Sequence, residues 1–132
     1  MKMRKRSSVP LAKAKLFEAA RRIPLPELRA AALKRLREPV PYRHGSRLFK
    51  NHHPVAGVSD EEKGEMAKEK AVGLSFREIE GIHRLYPCNG NDAYRCINDP
   101  THGILKRRPD IRKECRLIRA EIKKRAVAVL TA

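Results

Sequence analysis

The sequence predicts a mainly α fold, a small irregular helical protein of about four to five helices. Apolar residues recur at helical spacing in several segments, and prolines close these segments. Two Ser-x-x-Glu capping boxes mark helix starts. Leu, Ile, Val and Phe number 30 among 132 residues, which is enough for a modest core but not for a large one. We therefore expect a single small domain with extensions.

The first 38 residues predict a basic arm and then a helical hairpin. Residues 1–9 form the arm, because they carry four cations and no acid. Residues 10–38 hold two apolar stripes, separated by Pro24-Leu25-Pro26. Pro26 suits the first position of the second helix, and Pro39 ends that helix. The stripes are Leu11, Leu16, Ala20 and Ile23 in the first helix and Leu28, Ala32 and Leu36 in the second.

Residues 39–58 predict a long, Pro-containing extended connector. They contain three prolines and two glycines and show no sustained periodicity. Such a stretch inside a small domain is usually functional or a linker. Cations, amides and one ring are mixed in residues 42–47 and 50–53, so we expect the connector to follow an RNA backbone.

Residues 59–132 predict a helical region. Ser59 to Glu62 is a capping box for a helix that runs to about Val72, where Gly73 is a left-handed stop. A second box, Ser75 to Glu78, opens a helix that Pro87 ends. Because this segment carries excess acid, we expect it to anchor the fold or to contact a protein rather than a phosphate.

The rest of this region predicts turns and then a long basic helix. Residues 87–100 read as turns, with at most one helical turn around Ala93 to Ile97. Pro109 opens the longest helix, which runs to about Val129. Its apolar stripe is Ile111, Cys115, Ile118 and Ile122, and the cations around it are Arg112, Lys113, Arg116, Arg119, Lys123 and Lys124.

The charge of the chain lies in two blocks. Residues 1–50 have a net charge of +12, residues 51–100 of −3 and residues 101–132 of +7, which sum to +16. The excess positive charges repel one another unless a polyanion neutralises them, and this favours an RNA partner. The few scattered aromatic rings do not favour a platform for stacking single strands.

Motifs for catalysis or membrane insertion are missing from the sequence. It has no phosphate-binding G-x-x-x-x-G-K-[ST], no H-E-x-x-H and no G-x-S-x-G, and we expect no enzyme. The apolar runs are far shorter than the roughly 20 residues of a membrane span, so we expect no transmembrane segment. The basic, acid-free start suits the mitochondrial matrix, while a cytosolic or bacterial location stays open.

Metal binding is a minor alternative. Cys88, Cys96, His102 and Cys115 could form a Cys3His zinc set, but the short C-x2–4-C knuckle typical of structural zinc is missing. Cys115 also falls on the apolar stripe of the last helix, where a thiol acts as a small hydrophobe. We expect ordinary core cysteines and no cofactor.

One segment resembles a known family. Lys15-Leu16-Phe17, the following Ala19 to Pro24 and the later Leu28 to Arg37 are similar to the opening of LYR-motif proteins. The resemblance implies a small basic helical protein of a mitochondrial complex that docks an acyl carrier protein. It covers about 25 residues, and Glu18 stands where the motif has Arg.

These observations lead to three hypotheses about function. The first is a structural, rRNA-binding constituent of a large ribonucleoprotein, a ribosomal or mitochondrial ribosomal protein that neutralises phosphates and bridges to neighbouring proteins. The second is a LYR-like adaptor or accessory subunit of a mitochondrial respiratory or assembly complex. The third is a small zinc-stabilised binding module. The expected phosphate contacts are Arg4, Lys5, Arg6, Arg21, Arg22, Arg43, Arg47, Lys106, Arg107, Arg108, Arg112, Arg116 and Lys123.

Overall fold

A computed structural model describes residues 10–44, 58–86 and 90–131. In these ranges the chain forms seven helices and one pair of two-residue strands, so the prediction of a mainly α fold is confirmed. The basic arm and residues 45–57 of the connector lie outside the described ranges. The elements are α1 (Lys13–Arg21), α2 (Pro26–Arg37), β1 (Arg43–His44), α3 (Asp60–Ala71), α4 (Phe76–Ile82), β2 (Leu85–Tyr86), α5 (Asn91–Asn98), α6 (Ile104–Arg107) and α7 (Pro109–Thr131).

Helix α3 lies at the centre of the domain. It packs against α2, α4, α5, α6 and α7, while α1 packs on α2 and α4. The apolar side chains around it form one cluster, in which the largest fully buried members are Leu16, Ile23, Leu36, Met66, Ile79, Ile82, Ile97 and Ile104. Burying these side chains is the main force that holds the helices together.

The helix boundaries confirm several predictions from the sequence. Pro26 is the first residue of α2. Gly73 has a φ of 108° and ends α3 in a Schellman motif, since the Leu74 N–H donates to the Glu69 carbonyl. The capping box of Ser75 and Glu78 is complete at the start of α4. Pro109 opens α7, the longest helix of the described residues.

Helix α4 is shorter than predicted. The sequence places its end at Pro87, but the helix ends at Ile82 and Arg84 adopts a left-handed φ of 56°. The Arg84 guanidinium donates to the carbonyls of Gly81 and Leu36, which holds this turn. Residues 85–86 then pair in parallel with residues 43–44. This part of the connector is therefore fixed to the domain by strand pairing.

Helix α5 occupies a segment predicted as turns. The segment lacks a local capping residue, because Gly90 stands at the N-cap position with a φ of 93°. The cap comes instead from Glu80 on α4, whose two carboxylate oxygens accept the N–H groups of Gly90 and Ala93, each at 2.9 Å. This long-range cap gives the first turn of α5 the acceptors that its own sequence lacks.

Candidate functional site

A row of cations follows the exposed side of α7. Arg112, Arg116, Arg119 and Lys123 are spaced by four, three and four residues, so their side chains project within about 60° of one another around the helix. All four are exposed, and none of them forms an ion pair with the described part of the chain. The row extends about 16 Å along the helix axis. We call these four residues the α7 row.

The opposite side of α7 carries the acids. Asp110, Glu114 and Glu121 lie about half a turn from the α7 row. Each is already paired with a cation, namely Arg108 at 2.9 Å, Lys68 at 3.1 Å and Arg125 at 3.3 Å, respectively. The helix therefore presents one face with an unbalanced positive charge and an opposite face on which each acid is paired with a cation.

The apolar stripe of α7 covers only part of the helix. Cys115 is buried, Ile111 and Ile118 pack half-buried against the core, and Ile122 is half-buried. Beyond Ile122 the described side chains are exposed, and Leu130 reaches 84% exposure. The last turns of α7 thus extend past the core.

Other predicted phosphate contacts form ion pairs or ring contacts with residues of the same chain. Arg22 pairs with Glu78 at 2.7 Å, Arg107 pairs with Asp60 at 2.8 Å and Arg108 pairs with Asp110. The Arg21 guanidinium lies over the ring of Phe17, 5.6 Å from its centroid. Of the remaining residues, Lys106 is exposed, and Arg4, Lys5, Arg6 and Arg47 lie outside the described residues.

Arg43 belongs to a partly buried network of charged side chains. Its guanidinium donates to both carboxylate oxygens of Glu62, at 2.6 and 3.2 Å, and to the backbone carbonyl of His83. On the same side, Arg35 binds both oxygens of Glu65 at 2.8 and 3.1 Å. Both arginines come from the basic N-terminal block, and both carboxylates come from α3.

His83 is the centre of this network. Its Nδ1 lies 2.9 Å from Glu62 and its Nε2 lies 2.8 Å from Glu69, while the side chains of His83 and Glu69 have no exposed surface. Both ring nitrogens donate only when the imidazole is protonated. A protonated His83 therefore satisfies two carboxylates on α3 at once.

The network shifts the pKa values of its members in opposite directions. Burial acts to lower the pKa of His83, but the charge of Glu69 and the hydrogen bonds to Glu62 and Glu69 raise it to about 9. Burial acts to raise the pKa of Glu62, but hydrogen bonds from His83 and Arg43 lower it to about 2. Burial raises the pKa of Glu69 against the opposing charge of His83. At neutral pH the His83–Glu62 pair is ionic.

Glu62 does not complete the predicted capping box. The Ser59 hydroxyl accepts the Glu62 N–H at 3.2 Å, as expected, but the Glu62 side chain turns inward to His83 and Arg43 instead of back to Ser59. The acids of the middle segment, which the sequence predicts to anchor the fold or to contact a protein, thus serve in part to neutralise cations of this chain. No sequence pattern indicates this network, because its partners are far apart along the chain.

The described residues of the cysteine set and of the LYR-like segment are divided between the core and the surface. Cys96 and Cys115 are free thiols buried in the core, burial raises the pKa of both, and His102 is exposed; Cys88 lies outside the described residues. Leu16 of the LYR-like segment is buried, whereas Glu18 is exposed.

None of the helices in the described residues combines the length and the hydrophobicity that a membrane span requires.

In comparisons with known proteins, the chain matches no protein-family model, no curated protein and no solved structure.

Proposed function

We propose that this protein is a structural, RNA-binding component of a large ribonucleoprotein of the ribosomal type, mitochondrial ribosomes included. The α7 row is the main phosphate-contacting surface within the described residues. The observation that carries the proposal is the exposure of four aligned cations that no acid of the described chain neutralises. Phosphates are the partners that such a row fits, because each contact releases condensed counterions.

The distribution of ion pairs supports this choice of surface. Arg22, Arg35 and Arg43 from the N-terminal block are paired with Glu78, Glu65 and Glu62 of the middle segment. Three of the nine cations in residues 10–44 are thereby balanced within the fold. On α7 the four cations that no described acid neutralises are aligned on one face, so that face concentrates positive charge and attracts a polyanion.

The last turns of α7 fit a contact with a neighbouring protein. Val127, Val129 and Leu130 are 52%, 76% and 84% exposed, in a helix that extends past its own core. Exposed apolar side chains beside a polar surface are typical of interaction sites. In the proposed assembly, the α7 row binds RNA and the end of the same helix packs on a neighbouring subunit.

Salt dependence of binding tests the proposal directly. The full chain is titrated with a structured RNA over a range of salt concentrations, and the logarithm of the association constant is plotted against the logarithm of the salt concentration. Each neutralised phosphate contributes a slope of roughly −0.7 to −0.9. Four contacts from the α7 row predict a slope of about −3 or steeper. A flat salt response, or no binding at low salt, would contradict the proposal.

A further inference from the structure

Three side chains of the charged network bring atoms that can bind a metal close together. One ligating atom from each of Glu65, Glu69 and His83 lies within 4.8 Å of the other two. Metal bonds of about 2.0–2.2 Å place the atoms that share an ion at most about 4.4 Å apart. Small shifts of these side chains bring all three atoms into that range.

Glu69 contributes a second, independent observation. Its side chain is completely buried, and Oε1 is bound to His83 Nε2 at 2.8 Å. The other oxygen, Oε2, is buried and has no hydrogen-bond partner among the described residues. Buried carboxylate oxygens nearly always have a partner, because water can no longer solvate them. An oxygen of this kind in a cluster with a second carboxylate and an imidazole points to a cation.

Two residues of the cluster, His83 and Glu65, are also held by hydrogen bonds with side chains outside it. Glu62 lies 2.9 Å from Nδ1 of His83 and is itself held by Arg43, so in a neutral His83 with its proton on Nδ1 the Nε2 lone pair faces Glu69 and can bind a metal. Arg35 holds the carboxylate of Glu65 with two hydrogen bonds, and each oxygen keeps a further lone pair. A histidine between a carboxylate and a metal, with its ligating carboxylates hydrogen-bonded in turn, is the usual outer arrangement of metal sites.

We propose that Glu65, Glu69 and Nε2 of His83 bind one divalent transition metal ion, with Zn²⁺ as the probe of choice. One imidazole and two carboxylates form a mixed nitrogen and oxygen set, which suits first-row divalent ions better than Mg²⁺. The ion takes the place of the proton on Nε2 of His83 and joins α3 to the end of α4. A cleft of about 330 Å³, lined in part by Arg35, Glu62 and His83, lies beside this site.

This site differs from the cysteine set considered from the sequence. It uses no sulfur and none of Cys88, Cys96, His102 or Cys115. It is also independent of RNA binding, because Glu69 and His83 are buried in the core and the α7 row is on the surface. The role of the ion is to stabilise the fold, since a ligand that binds only the folded state raises its stability.

The test uses the full chain, stripped with a chelator and then freed of it. Zn²⁺ is titrated near neutral pH by calorimetry, and thermal unfolding is followed at each concentration. We expect one saturable equivalent and a rise in Tm of about 10 °C when Zn²⁺ reaches about one hundred times its Kd. Mg²⁺ at the same concentration should leave Tm unchanged.

Two variants assign the ligands. Glu65→Gln keeps the shape of a half-buried side chain, so it should fold and bind Zn²⁺ at least tenfold more weakly. Glu62→Gln removes the carboxylate behind His83 and should weaken binding about 10–100-fold. As controls, His102→Ala and the double variant His52→Ala with His53→Ala should retain the affinity of the original chain.

Three results would overturn the proposed site. They are the absence of a saturable equivalent, an unchanged affinity in Glu65→Gln, and loss of binding in either control. The readout does not involve RNA, so failure here leaves the proposed RNA-binding function intact, and failure of RNA binding leaves this site intact.

Discussion

The Nε2 atom of His83 lies 2.8 Å from Oε1 of Glu69, and neither side chain has any exposed surface. This contact joins the end of α4 to the central helix α3 through a buried pair of titratable side chains. Removing one partner of such a pair is costly, because the other polar group stays buried without compensation. The first prediction follows from this relationship.

His83→Ala should destabilise the protein by about 3–5 kcal/mol. The variant leaves Glu69 buried without its donor and removes one hydrogen bond from Glu62. Urea unfolding of the metal-free protein measures the change. The matched control is Arg22→Ala, which breaks the exposed pair with Glu78 and should cost at most about 1 kcal/mol. Equal effects of the two substitutions would contradict the central role of His83.

Stability of the metal-free protein should depend on pH in two separate windows. The folded pKa of His83 is raised from 6.5 to about 9, so its contribution is fully present below pH 6.5 and is lost as pH rises through 9. The folded pKa of Glu62 is lowered from 4.5 to about 2, so its contribution is present above pH 4.5 and is lost as pH falls through 2. We expect His83 and Glu62 together to contribute most between pH 4.5 and 6.5.

Urea unfolding in the presence of a chelator, repeated across this pH range, measures these contributions. Glu62→Gln is the control, because it removes one of the two carboxylates that raise the pKa of His83. It should reduce the alkaline loss of stability between pH 6.5 and 9. An original chain whose stability stays constant from pH 6 to 9 would contradict the charged state assigned to His83.

Gly103→Ala should destabilise the protein by about 1–3 kcal/mol. A Cβ at this position would come closer than 3.0 Å to backbone atoms of Asn98 and Asp99, which cannot move aside without distorting the end of α5. Thermal unfolding measures the effect. Gly64→Ala is the matched control, because its Cβ meets only the end of the Ile111 side chain, and alanine favours the helix. If Gly64→Ala were the more harmful, the packing around Gly103 would be wrong.

Glu80→Ala should unfold the start of α5 before the rest of the domain. The two N–H groups that Glu80 accepts, on Gly90 and Ala93, lose their acceptors, at a cost of about 1.5–3 kcal/mol for each charged hydrogen bond. Hydrogen exchange at these two amides should accelerate more than exchange in α3. Uniform acceleration across the domain, or none at Ala93, would show that α5 does not depend on this cap.

The helices that the sequence predicts well are those with local signals. Pro26, Gly73 and the Ser75–Glu78 box each act within one or two turns, and each is found where the sequence places it. For the segment of α5 the sequence predicts at most one helical turn around Ala93 to Ile97, because the cap of this helix is Glu80, which is ten residues before Gly90. A cap from another helix leaves no pattern in the segment that it stabilises.

The candidate sites also differ in whether a local sequence pattern predicts them. The α7 row follows from spacing within one helix, and Arg112, Arg116 and Lys123 were predicted as phosphate contacts. The charged network was not predicted, because Glu62 reads as an ordinary capping residue and His83 as a single histidine without partners. Their contact joins positions 21 residues apart and depends on how α4 packs on α3.

We propose that RNA binds the α7 row itself, and that its binding does not depend only on the total positive charge of the protein. Two variants with the same loss of charge separate these explanations, and each is titrated with structured RNA at several salt concentrations. One replaces the row with Gln at Arg112, Arg116, Arg119 and Lys123, and the other places Gln at the ion-paired Arg22, Arg107, Arg108 and Arg125. We predict that the first variant loses about 3 from the salt slope and the second much less than half of that. Equal losses in the two variants, or no loss in the first, would contradict the account.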